Sequence, residues 1–487
     1  LKKMITGYGN EPQEISSVYP KNLSTGVKFT DVNSYWISTS EQITWSSEGG
    51  TATLGTRTTY AYDPALQGGT QYGNLTNQVE YDWVYDPVEW EWVWVAYRAS
   101  QMSYYPNSGA VYLVGLPANQ ITYACPQGAC TYGDNDILSK TVFFYDANTS
   151  FEMAPISGKL TYQRTLLRWD DKKNEYKYQD TGYLYDAWGN LTTTRAYKDE
   201  VLGDLPGTGT NYQETVTCYG TGNPNPPQPT CTDDGYNTYP FWVKNSLGHI
   251  TSFTYDKSKG VPLSETDPNG VPTSAEYDGF GRMLKLIRDG DSTSSPTVQI
   301  SYHDTAEKFY TEASQKLDAS THFVLRKFYD GLGRPIQTQV VGAEVNGTGG
   351  QTIVTNTSYS VVSGTGQQVE QTVPFSVNGD CGGYCTQTTS DKTTTQYDAL
   401  GRVLWVKEPQ DGSTYAVQNS YTVNMGNCLY AAPGDTSPNR PCAITSSTDR
   451  SGTITQSLIS ARGLTGRVHP AAGPDVNYFY DAAGRRG

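Results

Sequence analysis

Short apolar–polar alternations, interrupted by Gly, Asp, Asn and Pro, set the pattern of this chain. After Gly281, Leu284 and Leu286 fall on the same side of an extended backbone. Leu404 and Val406 do so after Gly401, and Ile336 holds the equivalent place after Gly333. Side chains two apart on a strand share a face, so this period predicts half-buried strands joined by tight turns. Long helical periodicity is absent. The sharpest alternation is EWEWVWVAY at 89–97. It predicts a strand with Trp90, Trp92 and Trp94 on one face and Glu89, Glu91, Val93, Val95 and Tyr97 on the other.

One hexapeptide recurs at the ends of such runs. It reads YDAWGN at 185–190, YDGFGR at 277–282, YDGLGR at 329–334, YDALGR at 397–402 and YDAAGR at 480–485. In each copy Asp (Asp186, Asp278, Asp330, Asp398, Asp481) can accept hydrogen bonds from backbone N–H groups further along. Gly at the fourth position (Gly189, Gly281, Gly333, Gly401, Gly484) tolerates positive φ. That is the chemistry of a type I turn followed by a left-handed residue, a connection that suits the twist of a β-hairpin. The Tyr before each Asp (Tyr185, Tyr277, Tyr329, Tyr397, Tyr480) ends the incoming strand with its ring packed and its hydroxyl free to find a partner.

Degenerate forms occur as NSLG at 245–248, DPNG at 267–270 and DRSG at 449–452. Tyr-Asp pairs without the full turn stand at Tyr62, Tyr81, Tyr85, Tyr145 and Tyr255. The complete copies are spaced by 92, 52, 68 and 83 residues, so the array is irregular. The Gly-, Pro-, Asn-, Thr- and Ser-rich stretches 202–240 and 342–395 read as turn-rich insertions.

Composition sharpens the picture. With 38 Tyr, 49 Gly and 26 Pro, the chain is built for pleated surfaces and turns. Aromatic content of 12% is too high for a disordered chain. A net charge of −14 opposes nucleic-acid binding, which needs cations to neutralise phosphates. No apolar run approaches the length of a membrane span. Neither end carries a signal or start sequence, and both are expected to be cuts within a longer polypeptide.

The eight cysteines fall as four close pairs, Cys125/Cys130, Cys218/Cys231, Cys381/Cys385 and Cys428/Cys442. Their surroundings are loop-like, which predicts local disulfides in an oxidising compartment. Reduced thiols and a metal site are the competing readings. Zinc is the weaker, because no pair has C-x-x-C spacing and no His lies nearby.

The hexapeptides, YDAWGNLT at 185–192, the run at 245–282, YLVGLP at 112–117 and GYGN at 7–10 together resemble the Rhs/YD-repeat family. That family includes bacterial toxin-complex shell subunits and the teneurins. The resemblance extends over essentially the whole chain, most strongly over residues 60–487. It implies an all-β fold in which an irregular array of YD-repeat hairpins forms a spiralling β-sheet, a hollow barrel or cocoon. Residues 1–59 are then an N-terminal β segment continuous with the array at 60–487. Toxin-bearing members end in an Asp-rich self-cleaving segment, which these residues lack.

Catalytic signatures are missing. The four histidines, His249, His303, His322 and His469, are far apart, and no nucleophile elbow, phosphate loop or metal-protease helix occurs. Asp134-Asn135-Asp136 and Asp289-Gly290-Asp291 begin like calcium loops without continuing as one. No cofactor or metal is expected. Six glycosylation sequons begin at Asn22, Asn74, Asn148, Asn190, Asn346 and Asn356, a number that Ser/Thr richness alone can supply.

The expectation is a non-enzymatic, secreted or cell-surface scaffold whose partners are the rest of its own chain, further copies of itself or surface glycans. One alternative is the encapsulating shell of a toxin. Another is a carbohydrate-binding protein using Trp90, Trp92 and Trp94.

Overall fold

The computed structural model describes residues 2–8, 13–15, 34–36, 39–47 and 53–486, apart from 64–71, 87–88, 108–110, 149, 171–174, 204–208, 225–228, 305–307, 346–347, 413–414, 425–441 and 481–483. Among these residues there are 33 strands and three short 3-10 turns, and no α-helix. Of the strands, 31 belong to one sheet.

The sheet is an antiparallel meander. Thr39–Ser47 pairs with both Lys2–Tyr8 and Thr53–Tyr62, which in turn pairs with Leu75–Asp86. From there each strand pairs mainly with the next, down to Thr465–His469 and Val476–Asn477. Hairpin connections make this arrangement local, since antiparallel neighbours need only a tight turn between them. Among the described residues no pairing joins the first strand to the last, so the sheet is open rather than a closed barrel. It nevertheless curves back on itself: Arg462, in a turn near the C-terminus, lies 4.3 Å above the ring of Tyr97 in strand Glu91–Tyr104. Strand twist accumulates across a long sheet, and a twisted ribbon can wrap without its edges pairing.

Alternating strand direction sorts the turns. The turns that follow Tyr62, Tyr145, Tyr185, Tyr277, Tyr329 and Tyr397 all end strands running the same way, so they share one rim of the sheet. The tyrosine-free turns at Asn245, Asp267 and Asp449 fall on the opposite rim.

Burial is dispersed. Small apolar clusters, such as Val142, Phe144 and Tyr178, or Cys218, Trp242 and Ile250, replace a single core. Several of the best-buried side chains are polar: Arg164, Asp180, Gln337, Gln339 and Gln396. Arg164 and Asp180 pair at 2.7 Å, and the Arg164 guanidinium also donates to the Gly203 carbonyl at 2.9 Å. A buried charge is tolerable only when it is paired in this way.

The stretch 342–395 departs from the insertion read in the sequence. It contains the strands Thr348–Val362, Gly366–Thr372 and Phe375–Asn378. Its Thr and Val residues favour the pleated surface, and neighbouring strands supply the pairing that short-range composition does not reveal.

Candidate functional site: a repeated turn and its aromatic clasp

In the turn after Tyr329, the Asp330 N–H donates to the Arg334 carbonyl at 3.0 Å and the Gly333 N–H to the Asp330 carbonyl at 3.0 Å. The Asp330 carboxylate accepts from the N–H groups of Leu332 and Arg334, both at 2.9 Å. Asp186, Asp278 and Asp398 accept from the same two positions. So do Asn245, Asp267 and Asp449 on the opposite rim. The turn glycines have the left-handed backbone the geometry requires: Gly189, Gly281, Gly333, Gly401 and Gly484 have φ of 92°, 79°, 76°, 78° and 80°. Asp481 lies outside the described residues.

Two further copies of the turn are opened by insertions. Asp63 donates its N–H to the Asn74 carbonyl at 2.9 Å, and its carboxylate accepts from the N–H groups of Gly73 and Asn74. Asp146 does the same with Lys159, at 2.8 Å through its N–H and 3.0 Å through its carboxylate. The sequence signal for these turns is the bare Tyr-Asp pair at Tyr62 and Tyr145. Their closing residues stand too far downstream to be recognised by spacing.

The turn closes on an aromatic clasp. Arg282, Arg334 and Arg402 each donate Nε to the carboxylate of their own turn Asp at 2.7 Å. The same guanidinium lies over a Tyr of the strand after the hairpin: Arg282 on Tyr302 at 4.2 Å, Arg334 on Tyr359 at 4.3 Å and Arg402 on Tyr421 at 4.1 Å. Each Tyr hydroxyl then donates to the first carbonyl of the hairpin's outgoing strand. Tyr302 reaches Met283 at 3.1 Å, Tyr359 reaches Pro335 at 3.1 Å and Tyr421 reaches Val403 at 2.8 Å.

The hydroxyl contact recurs from Tyr104 to Leu75 at 2.8 Å, from Tyr185 to Leu160 at 2.9 Å and from Tyr480 to Thr465 at 3.0 Å. Each clasp thereby ties one hairpin to the next strand. A planar guanidinium suits this double role, because its fork meets the carboxylate while its face stacks on the ring.

Electrostatics follow the geometry. The backbone N–H of Arg334 holds the Asp330 carboxyl below the usual range, against some desolvation, and the Arg334 side chain adds to the effect. At Asp146 burial acts upward, but the Ser157 hydroxyl and the N–H groups of Ser157, Gly158 and Lys159 outweigh it and bring the carboxyl down to about 2. A carboxylate accepting several N–H bonds is stabilised in its charged form.

The tryptophans are arranged differently from the expected ladder. Trp90 belongs to the turn that precedes the strand, with φ of 57° and 80% exposure. Reversing the chain at that point calls for a left-handed residue, so alternation starts only at Glu91. Trp92 and Trp94 are half-buried. They are joined by Trp83 from the neighbouring strand, 6.2 Å from Trp92 and 4.6 Å from Trp94 between ring centroids.

Disulfides link Cys125 to Cys130, Cys218 to Cys231 and Cys381 to Cys385. Cys442 is fully buried, and Cys428 lies outside the described residues. Of the two runs that begin like calcium loops, Asp289–Asp291 has its Asp291 held by Lys316 at 2.6 Å and by Thr297 at 2.6 Å. Asp134–Asp136 forms a 3-10 turn. Asn190 and Asn356 spend their side-chain amides inside the fold, Asn190 on Asp186 and the Asn237 carbonyl, Asn356 on the Gln387 carbonyl. Asn22 and Asn346 lie outside the described residues. No helix among the described residues is long and apolar enough to cross a membrane.

No protein-family model matches the chain, and no curated protein matches it in sequence. Solved structures do. A crystal structure of TcdB2-TccC3 with Cdc42 superposes with a TM-score of 0.61 at 12% identity, covering 93% of this chain and 29% of that one. TcdB2-TccC3 without its hypervariable C-terminal region gives 0.57 at 13% identity, with the same coverage. The Tc holotoxin pore of Photorhabdus luminescens gives 0.57 at 13%, covering 94% of this chain and 29% of that one. The chain thus spans less than a third of the length of these neighbours, and what it shares with TcdB2-TccC3 is the all-β fold.

Proposed function

We propose that this chain is a wall segment of a proteinaceous shell, structural rather than catalytic, and working outside the reducing cytoplasm. The observation that carries this reading is the contact of Arg462 with Tyr97, which brings the sheet round onto its own early strands. A flat surface layer or an extended filament has no use for such a return, whereas a wall that encloses a volume does. The clasps support the same role, since they stiffen the sheet hairpin by hairpin without building a cleft for chemistry. The fold likeness to TcdB2-TccC3 favours an enclosing wall over an adhesive surface. The three disulfides fit an oxidising destination. The enclosed partner on this reading is a toxin-like polypeptide.

Electron microscopy of the full natural polypeptide tests the proposal. Closed particles with an interior are expected, and extended fibres or flat arrays would overturn it. A second reading rests on the aromatic cluster of Trp83, Trp92 and Trp94 beside exposed Trp90, a surface suited to stacking on sugar rings. Retention on a glycan array, lost in Trp90→Ala and Trp92→Ala, would support it.

A further inference from the structure

The segment 379–386 follows strand Phe375–Asn378 and lies across two earlier strands, His322–Tyr329 and Pro335–Val345, without joining the sheet. It is anchored at three places. Asp380 accepts from the Arg326 guanidinium, at 2.9 Å to Nη2. Tyr384 meets buried Phe328 edge-on, 5.5 Å between centroids, with the Lys308 ammonium 4.5 Å from the Tyr384 ring. The third anchor is buried and polar. Gln337, 1% exposed, accepts from the Cys385 N–H and donates to the Cys385 carbonyl, both at 2.9 Å. Gln339, 0% exposed, donates to the Gly383 carbonyl at 2.7 Å.

We propose that the Cys381–Cys385 disulfide is a redox-sensitive latch that keeps this strap closed over Phe328, Gln337 and Gln339. The ring it closes contains Gly382, at φ of 67°, and Gly383. Two consecutive glycines give an unlatched segment many more conformations to lose on docking. The disulfide removes that freedom in advance and holds Cys385 in register with the Gln337 amide. Without the strap, the two glutamines lose their backbone partners, so opening transfers a polar, aromatic-edged patch from the interior to solvent.

The chemistry is thiol–disulfide exchange. Cys385 is buried and Cys381 half-buried, so an external thiolate attacks the Cys381 sulfur and the Cys385 thiolate leaves and takes a proton. A second external thiol resolves the mixed disulfide, releasing the Cys381 thiol and the oxidised reductant. Two electrons and two protons pass to the protein. The patch is therefore covered in an oxidising compartment and uncovered on entry into a reducing one.

Hydrogen–deuterium exchange on the intact chain tests this, comparing wild type, wild type reduced with dithiothreitol after folding, Cys381→Ser/Cys385→Ser, and Cys125→Ser/Cys130→Ser. The expected result is exchange faster by about tenfold or more over 380–387 in the reduced wild type and the first variant, with the turn at 278–282 unchanged. The second variant should leave 380–387 protected. Unaltered protection of the strap after reduction would overturn the proposal, even if the first variant failed to fold. Equal loosening by Cys125→Ser/Cys130→Ser would also overturn it, because the effect would then not be local.

Discussion

Arg462 rests on the ring of Tyr97, its guanidinium carbon 4.3 Å from the centroid and its Nε 3.7 Å from the Asp82 carboxylate. The Tyr97 hydroxyl is engaged by Glu80, and burial followed by that hydrogen bond pushes the phenol well above its ordinary range. At this point a cation on an aromatic ring beside an acid joins the late turn to the early strand. Replacing Arg462 with Ala should destabilise the chain by about 1 kcal/mol, the usual worth of a partly desolvated cation–π contact. A double-mutant cycle with Tyr97→Leu in urea should return a coupling of similar size. Additive effects would show that the two side chains do not interact.

The clasp makes a prediction of its own. Tyr302→Phe keeps the stack with Arg282 but removes the hydroxyl that reaches Met283, and should cost about 0.5–1.5 kcal/mol. Arg282→Lys should cost more than its charge conservation suggests. A Lys ammonium cannot bond both Asp278 and Asp304 while lying flat on Tyr302. Chemical denaturation of the two variants checks the order of the effects.

Turn glycines should divide into two classes. Gly333 has φ of 76° and open space where a Cβ would stand, so Gly333→Ala should cost only the left-handed strain, about 1–2 kcal/mol. At Gly366, with φ of 150°, a Cβ would lie 2.6 Å from the Asp398 carbonyl oxygen, on backbone that cannot swing aside. Gly366→Ala should therefore be clearly the worse of the two in thermal unfolding. Equal losses would contradict the difference in packing.

Acid should act first on the turns. The carboxyls of Asp146, Asp330 and Asp449 titrate below their ordinary range in the folded chain, Asp146 at about 2. A carboxyl depressed by folding contributes stability that is complete above its unfolded value of about 4, and loses it as pH falls through the folded value. Urea midpoints should therefore be flat from pH 7 to about 5 and fall progressively between about pH 4 and 2. In Asp146→Asn the fall should be shallower, because one of the titrating groups is gone.

The insertions divide the legible part of the fold from the rest. YDGLGR at 329–334 can be read directly because every bond of the turn runs between residues no more than four apart. Asp63 and Asp146 make the same turn, but with acceptor and donor eleven and thirteen positions apart. The intervening residues hide the pattern, although the Tyr-Asp pair marks where it starts. Trp90 shows the opposite error. Perfect alternation placed it with Trp92 and Trp94, but alternation says nothing about where a strand begins, and the hairpin took that residue for its turn.

By itself, the sequence determined the strands that flank the hexapeptide turns, the Asp–Gly turns and the pairing of Cys125 with Cys130, Cys218 with Cys231 and Cys381 with Cys385. All of these depend on short-range backbone chemistry, which six to fourteen consecutive residues are enough to specify. Only the tertiary structure decided that the tyrosine turns share one rim, that Arg334 stacks on Tyr359, that Gln337 docks the Cys385 strap and that Arg462 returns to Tyr97. Those contacts depend on strand direction and on twist summed over many strands. Each hairpin adds a small rotation, and no local pattern records the total.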